Sequence, residues 1–122
     1  MSTVDLQEST FTQTLEDNDI VFVDFWAEWC GPCRSFAPVY DKISEEFPGV
    51  VFAKVDTEAE QALAQGFQIT SIPTLMAIPD KVVLFSQAGA LPEPALRDLV
   101  TKVQAVDMDD VRTQIAAQNQ GG

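Results

Sequence analysis

Two hydrophobic runs in the first half of the chain predict buried strands. Residues 20–26 (Ile-Val-Phe-Val-Asp-Phe-Trp) and residues 50–55 (Val-Val-Phe-Ala-Lys-Val) are almost continuously apolar, with many β-branched and aromatic side chains. Such runs are typical of strands that are covered on both faces of a sheet. Each run contains one charged residue, Asp24 in the first and Lys54 in the second.

Three further strands are predicted from shorter patterns. Residues 3–6 alternate apolar and polar side chains, which favours a short edge strand. Residues 74–78 and 82–86 are apolar and lie close together in sequence, so we expect them to pair as a hairpin. The link between them, residues 79–81 (Pro-Asp-Lys), contains neither Asn-Gly nor Asp-Gly and leaves the turn type open.

Helices are predicted between these strands. One begins near Thr10, whose spacing to Gln13 matches a capping box, and ends in the polar residues 16–19 (Glu-Asp-Asn-Asp). A second follows the strand at residues 20–26 and runs to about Phe47. Pro38 lies inside it, so we expect a kink.

Two more helices are predicted in the second half of the chain. A short one covers residues 58–65 and is closed by Gly66 at the C′ position. A longer one runs from Pro92 to about Ala105 and carries a buried stripe. The stripe consists of Leu96, Leu99, Val100 and Val103. This order of elements indicates an α/β fold, with a central mixed β-sheet flanked by helices on both faces.

The bulk composition is that of one globular domain. The chain has 122 residues, of which 46% are hydrophobic and 21% charged, enough to bury a core without disulfide staples. Its net charge of −12 argues against binding to nucleic acid or to an anionic membrane surface. No apolar run approaches the ~20 residues of a membrane span. The first eight residues are polar and acidic, unlike a signal peptide, so we expect a cytoplasmic protein.

Cys30 and Cys33 are the only cysteines in the chain, and they flank Gly-Pro. They lie where a predicted strand ends and a helix begins. The N–H groups and the dipole at a helix N-terminus stabilise a thiolate, which is the nucleophilic form of cysteine. Two thiols at this spacing can close as a disulfide and reopen. The pair therefore indicates redox chemistry.

Three alternatives compete with that interpretation. A zinc site would need further ligands, and the chain has no His and no third Cys. Structural disulfides typically occur in small secreted chains with more cysteines. Two inert buried thiols would need hydrophobic neighbours rather than Gly31 and Pro32. Each alternative fits the sequence less well than a redox pair does.

The cysteines belong to a longer segment that resembles the active-site segment of the thioredoxin family. The segment is residues 23–33 (Val-Asp-Phe-Trp-Ala-Glu-Trp-Cys-Gly-Pro-Cys). Residues 72–74 (Ile-Pro-Thr) and 89–91 (Gly-Ala-Leu) also resemble stretches that the family uses beside its active site. The resemblance covers roughly residues 4–105 and departs from the commonest pattern at Arg34, where the family most often has Lys, and at the neighbouring Ser35. It implies the thioredoxin fold and protein-disulfide reductase activity.

The resemblance also implies roles for the residues around the pair. Cys30 is expected to be exposed and to attack a substrate disulfide, while Cys33 is more buried and resolves the mixed disulfide. Gly31 lets a substrate backbone approach, and Pro32 rigidifies the turn. The family uses an Asp at the place of Asp24 as a buried proton acceptor, and burial would raise its pKa. The alternative for Asp24 is a strand-end residue whose side chain reaches water.

Lys54 is the candidate partner that tempers the Asp24 charge, and its alternative is an ordinary surface lysine with a buried stem. Trp29 is expected to cover the redox pair, and Trp26 to pack beneath it or simply to belong to the core.

The second and third matching stretches imply a substrate surface. In the family, the proline at the place of Pro73 is cis and lies against the cysteines. The main chain of Ile72 would then pair with an extended substrate segment, at the point where Thr74 begins a strand. Gly89 and Ala90 would form a small apolar lip on the same rim.

The expected partners are disulfide-containing client proteins and an NADPH-dependent flavoprotein, thioredoxin reductase, as the electron donor. We expect a monomer with no bound cofactor or metal, whose redox centre is the Cys30–Cys33 pair itself. The competing function is a binding or chaperone subunit on the same fold, with a secondary redox role.

The resemblance does not extend to the end of the chain, so we expect a thioredoxin domain over residues 1–106 and an extension over residues 107–122. Asp107 and Asp110 resemble a helix cap and a first-turn acid. Three apolar residues would share one helical face: Met108, Val111 and Ile115. Because so short a helix is marginal alone, the extension is either a short amphipathic helix docked away from the cysteines or a disordered tail.

Overall fold

The computed structural model describes residues 2–121, and the side chains of residues 2–118. The strands of this part of the chain are β1 (Thr3–Asp5), β2 (Ile20–Trp26), β3 (Val51–Asp56), β4 (Thr74–Pro79) and β5 (Phe85–Ala88). Its helices are α1 (Glu8–Asp17), α2 (Gly31–Glu46), α3 (Gln61–Gly66), α4 (Glu93–Ala105) and α5 (Met108–Gly121). None of these helices is both long and apolar enough to cross a lipid bilayer.

The strands form a single mixed sheet in the order β1-β3-β2-β4-β5. β3 runs parallel to both β1 and β2, whereas β4 is antiparallel to β2 and β5 is antiparallel to β4. β2 therefore lies at the centre, and its bounds are those predicted from the apolar run. β1 and β5 are the edges, and the segment from residue 82 to residue 92, which includes β5, has no ionisable side chain.

Both faces of the sheet are covered, as the sequence predicts. On one face, Phe22 of β2 packs with Tyr40 of α2 and Leu96 of α4, and all three are fully buried. On the other face, Val23 of β2 packs in a cluster with Phe11 of α1. Alternate residues of β2 thus point to opposite cores, and Asp24 points to the same side as Phe22.

Helix α1 begins earlier than its predicted capping box. Its N-cap is Gln7, whose main-chain N–H donates to Thr10 Oγ1 over 3.1 Å. The N–H of Glu8 donates to a carboxylate oxygen of the distant Glu60 over 2.9 Å. The predicted start near Thr10 is wrong because Thr10 is the third helical residue of a capping box with Gln7, and the contact with Glu60 adds to the earlier first turn.

The predicted end of α3 is also wrong in its details. Gly66 is the last helical residue, and the left-handed conformation falls on Gln68, with φ 56°. The N–H of Gln68 donates to the carbonyl of Gln65, and the N–H of Ile69 donates to the carbonyl of Ala64. These two bonds are those of a Schellman motif, which ends the helix without glycine at its C′ position. The helix also begins at Gln61 rather than at residue 58.

The predicted hairpin is confirmed, but its second strand begins at Phe85 rather than at residue 82. Asp80 and Lys81 have positive φ values of 48° and 65°, and the N–H of Val82 donates to the carbonyl of Pro79. Two successive positive φ angles are typical of a type I′ turn, which settles the turn type that the sequence left open.

The C-terminal extension forms helix α5. Asp107 Oδ1 accepts hydrogen bonds from the N–H groups of Asp109 and Asp110, so it caps the helix as predicted. Arg112 donates to a carboxylate oxygen of Asp80 over 2.6 Å. Because the turn at Asp80 follows Pro79, the partner of Ile20 at the start of β2, this contact lies at the opposite end of β2 from the cysteines. The boundary at residue 106 remains a proposal.

The apolar face of α5 is only partly covered. Met108 and Val111 are half-buried, and Ile115 is 39% exposed. Both these half-buried residues and the Arg112–Asp80 ion pair therefore hold α5 against the rest of the chain.

Candidate active site

Cys30 and Cys33 are joined as a disulfide at the start of α2. Cys30 is the N-cap, and its Sγ accepts a hydrogen bond from the main-chain N–H of Cys33 over 3.2 Å. Gly31 and Pro32 occupy the first two helical positions, where the missing N–H of proline costs no helical hydrogen bond. The end of β2 and the start of α2 thus bring the sulfurs to a helix N-terminus.

Both cysteines are buried in this disulfide state. Cys30 is 4% exposed and Cys33 is 2% exposed, so the expectation that Cys30 would be the exposed residue is wrong here. Ala27 belongs to the same small cluster, and Trp26 and Ile72 pack against it. Cys30 Sγ lies 3.7 Å from the carbonyl oxygen of Ile72. Part of the cover over Cys30 therefore comes from Ile72, which lies 42 residues away in sequence, and the position of Cys30 at a helix start does not predict that contact.

The loop between β2 and α2 is held by main-chain and side-chain bonds. The main-chain N–H and the hydroxyl of Thr57 both donate to the carbonyl of Trp26, over 2.9 and 3.1 Å. The N–H of Cys30 donates to the carbonyl of Ala27 over 3.2 Å. These bonds fix the chain that delivers Cys30 to the helix.

The two tryptophans occupy different environments. Trp26 packs against the cysteine cluster, as expected. Trp29 is 66% exposed, and its indole N–H donates to a carboxylate oxygen of Glu58. Trp29 also lines a surface groove with Ile72. Trp29 thus bonds to the segment after β3, and its expected role as a cover over the cysteines stays a prediction.

Asp24 is the buried charge at the centre of the sheet. Its side chain is 1% exposed, which excludes the alternative of a strand-end residue that reaches water. Within the described residues, neither carboxylate oxygen has a hydrogen-bond partner. Burial raises the pKa of Asp24 from 3.8 to about 7, and the positive charge of Lys54 opposes that rise.

Lys54 fits both of its predicted interpretations. It is paired with Asp24 in the register of β2 and β3 and lowers the pKa of that carboxyl. Its ammonium also lies 4.6 Å from the centre of the Trp26 ring, within the range of a cation–π contact. The Lys54 ammonium thus lies against the face of the Trp26 ring, next to the buried carboxyl of Asp24 in the sheet.

The predicted substrate residues meet at the same end of the sheet as the cysteines. The Ile72–Pro73 peptide bond is cis, and the main-chain N–H of Gly89 donates to the carbonyl of Pro73 over 2.8 Å. Gly89 has φ 103°, a conformation that favours glycine. Thr74 is buried and begins β4. Ala90 is exposed beside Gly89, so the rim contains all five predicted residues.

Three residues near the site were not singled out from the sequence. Glu58 and Thr57 hold the loop before Cys30, as described above. Tyr40, on α2, donates its hydroxyl to the carbonyl of Ala53 over 2.8 Å. Burial, and then the nearby Asp24 charge, raise the pKa of Tyr40 well above its usual value. No local pattern marks these residues, because each acts through a contact distant in sequence.

Metal ligands are not grouped in the described part of the chain. Within it, no set of three or more His, Cys, Asp or Glu side chains is arranged to hold a metal ion. The sulfurs of Cys30 and Cys33 are instead bonded to each other. The reactive group that the structure presents is therefore this disulfide.

Comparisons with known proteins agree with the geometry. Residues 2–102 match the family model Thioredoxin. The chain is 55% identical over 117 residues to "Putative thioredoxin 2" of Streptomyces coelicolor, covering 96% of this chain and 87% of that one. It is 37% identical over 99 residues to "Thioredoxin" of Haemophilus influenzae, covering 80% of this chain and 92% of that one.

A solved structure of Plasmodium falciparum thioredoxin has the same fold. It superposes with a TM-score of 0.77 at 33% identity, covering 82% of this chain and 98% of the other. Together with the Cys30–Cys33 disulfide at the start of α2, these matches show that the chain belongs to the thioredoxin family of thiol–disulfide oxidoreductases.

Proposed function

We propose that this protein reduces disulfide bonds in other proteins, with Cys30 as the attacking thiolate and Cys33 as the resolving thiol. The observation that carries the proposal is the 3.2 Å contact between the main-chain N–H of Cys33 and Cys30 Sγ. An N–H at a helix N-terminus that points at a sulfur favours its negatively charged form. Cys33 is the third residue of α2 and lies beyond that N-cap position.

The reaction consists of two exchanges that conserve atoms and electrons. The Cys30 thiolate attacks one sulfur of the substrate disulfide, forming a mixed disulfide and releasing the other substrate sulfur as a thiolate that takes up a proton. Cys33 loses its proton and attacks Cys30 Sγ, which forms the Cys30–Cys33 disulfide and releases the second substrate thiolate. Two electrons pass from the protein dithiol to the substrate.

Asp24 is proposed as the acceptor for the Cys33 proton. A base works best when its pKa lies near the operating pH, and the pKa of Asp24 is raised to about 7 by burial. Lys54 supports the ionised form of Asp24 by its charge. The Trp26 ring contacts the Lys54 ammonium on one side and the cysteine cluster on the other. Trp26 therefore lies between the redox pair and the lysine that is paired with Asp24.

The rim around Cys30 is proposed to bind an extended segment of the substrate. Ile72 would offer main-chain groups to that segment, in the manner of strand addition, and the 3.7 Å distance from its carbonyl to Cys30 Sγ supports this. Gly89 and Ala90 lack bulky side chains, which leaves room on the same rim. Trp29, with its large exposed surface, would contact the substrate on the other side.

The proposed electron donor is an NADPH-dependent flavoprotein, thioredoxin reductase, because each turnover leaves the protein oxidised and a two-electron donor must return it to the dithiol. We also propose that the protein works in the cytoplasm, as a monomer, with its own cysteines as the redox centre. Its net charge of −12 is unfavourable for partners that are polyanionic, such as nucleic acids.

Insulin reduction by dithiothreitol, followed by turbidity, tests the proposal on the full chain. The wild type is expected to accelerate precipitation, whereas Cys30→Ser abolishes the acceleration. When reduced Cys33→Ser is freed of dithiothreitol and mixed with insulin, it should instead accumulate a mixed disulfide, visible as a larger species on a non-reducing gel. Thermal unfolding of each variant serves as the control for folding.

The competing function, a binding or chaperone subunit, needs no cysteines. A double variant with Cys30→Ser and Cys33→Ser that keeps the full biological effect of the wild type in a client assay would favour that function. Trapping of the substrate on Cys33 in the Cys30→Ser variant would reverse the proposed roles of the two sulfurs.

A further inference from the structure

The two edges of the sheet differ in charge. The edge strand β1 contains an acidic residue, Asp5, and Glu8 follows it at the start of α1. The edge strand β5 (Phe85–Ala88) has no ionisable side chain and no proline. The nearest ionisable residues along the chain are Lys81 before it and Glu93 after it. Charged side chains and proline commonly prevent an edge strand from pairing with another chain, so β5 is open to such pairing.

The register shows which main-chain groups of β5 face the free side of the strand. The N–H of Gly89 donates to the carbonyl of Pro73 over 2.8 Å, so Gly89 bonds toward β4. Residues of an antiparallel pair alternate between those that bond to the partner strand and those that face away from it. Ala88 lies opposite Thr74 and next to Gly89, so its N–H and C=O face away from β4. Ser86, two residues earlier, faces the same way.

These outward main-chain groups are accessible. Ser86, Gln87 and Ala88 are exposed, and so are Gly89 and Ala90, which follow them. The side chains of Ser86 and Ala88 are small, which leaves room for another chain beside the strand. These two residues together offer two N–H donors and two carbonyl acceptors to a strand that lies alongside β5.

The free edge of β5 is continuous with the proposed substrate rim. Gly89 and Ala90 belong to that rim, and Ala88 directly precedes them in the chain. A strand rises about 3.3 Å per residue. A client chain that contacts Gly89 therefore reaches the outward groups of Ala88 within one or two of its own residues.

Charge indicates which partner this edge would take. A second copy of the chain has the same net charge of −12, so electrostatic repulsion opposes pairing between copies at neutral pH. A client segment without acidic side chains is not repelled in this way. The uncharged edge also presents no charge that a partner would have to match. The favoured occupant is therefore an extended client segment that is uncharged or basic.

We propose that the free edge of β5 is a docking surface for the client, whose extended segment next to the disulfide pairs with Ser86 and Ala88 and extends the sheet by one strand. The inference rests on the proposed function, because the client is the protein whose disulfide Cys30 attacks. In this kind of recognition the main-chain hydrogen bonds supply affinity. The uncharged edge then favours clients that have few acidic residues near their disulfide.

The test uses the full-length Cys33→Ser variant, which should retain a client peptide on Cys30. Each peptide has one cysteine, activated as its disulfide with thionitrobenzoate, which the Cys30 thiolate displaces. A flank of about six residues, the usual length of a strand, lies either before or after that cysteine. The flank alternates valine with threonine in one pair of peptides and valine with glutamate in the other. NMR then measures amide hydrogen exchange in β5 at pH 7, with and without peptide.

One of the two valine–threonine peptides is expected to slow exchange at the Ser86 and Ala88 amides by about tenfold or more. The Gln87 amide is the internal control, because it faces β4 and should change little. The glutamate peptides should protect much less, since they bring further acids to a protein of net charge −12. Ser86→Pro removes one outward N–H where an edge strand tolerates proline, so it should weaken the protection of Ala88. Ser86→Ala, its control, should not.

Three results would overturn the inference. The peptides bond to Cys30 but neither flank protects Ser86 and Ala88, or the glutamate peptides protect these amides equally. The third is protection that appears without peptide as the protein concentration rises, which would identify a second copy as the occupant. Failure of the proposed function is a separate result, because no mixed disulfide with Cys30 would then form.

Discussion

Asp24 and Lys54 lie side by side in the parallel register of β2 and β3, and the Lys54 ammonium rests 4.6 Å from the centre of the Trp26 ring. The carboxyl is buried without a hydrogen-bond partner among the described residues, and the opposite charge reduces the cost of that burial only in part. This pair couples the stability of the sheet to pH.

Asp24→Asn is expected to stabilise the fold at pH 8 by roughly 1–3 kcal/mol, because it removes a buried carboxylate that lacks a partner. The pKa of Asp24 is about 7 in the folded protein, against an ordinary value of 3.8. Folding therefore binds a proton between these values, so wild-type stability is highest below the lower value and falls as the pH rises toward the upper one. Urea unfolding at pH 4 to 8 measures the slope, which the variant should lose.

Glu16→Gln is the matched control for Asp24→Asn, since it removes one negative charge from an exposed site. It should leave the slope between pH 4 and 8 intact. An Asp24→Asn variant that is less stable than the wild type at pH 8 would contradict the assignment of Asp24 as a buried, destabilising acid.

Lys81→Gly is expected to stabilise the hairpin by up to about 1 kcal/mol. Lys81 has a φ of 65°, where a residue with a Cβ atom is disfavoured and glycine is not. The change also creates the Asp-Gly pair that type I′ turns prefer. Thermal unfolding measures the effect. Lys81→Ala removes the same charge but keeps the Cβ atom, so an equal gain in both variants would assign the effect to the charge instead.

Truncation after Ala105 is expected to leave insulin reduction within a few-fold of the full chain. Helix α5 contacts the turn at Asp80 through Arg112, at the other end of β2 from the cysteines. The free energy of unfolding should fall modestly, by roughly 1–3 kcal/mol, because this exposed ion pair and the half-buried Met108 and Val111 are lost together. Arg112→Gln isolates that pair in the full-length protein. A truncated protein that folds normally but loses most of its activity would show that α5 belongs to the active site.

The centre of the fold could be predicted because its signals are local. The bounds of β2 follow from an apolar run that is typical of a doubly covered strand, and α2 ends at Glu46, close to the predicted end near Phe47. The redox site could be predicted for the same reason, from the cysteine motif and from the family-like stretches at residues 72–74 and 89–91. In each case, the residues that determine the structure are adjacent in sequence.

The features that were not predicted depend on partners far along the chain. The first turn of α1 at Glu8 is held by Glu60 in addition to the local pair Gln7 and Thr10, and Cys30 is buried partly by Ile72. Trp29 turns outward to Glu58, and that bond joins residues 29 positions apart. Hydrophobic periodicity contains no information about such contacts, so the sequence predicts the reactive residues better than their exposure.

The lack of charged side chains along the edge strand β5 affects how readily the protein self-associates. Exposed edge strands invite pairing with other molecules, and proteins commonly prevent this with local charges or proline, which residues 82–91 lack. Pairing between the β5 edges of two molecules is therefore opposed mainly by electrostatic repulsion, since each molecule has a net charge of −12. That repulsion vanishes near the isoelectric point of 4.1 and is screened by salt. Mild acid and high ionic strength are accordingly the conditions in which this protein should self-associate.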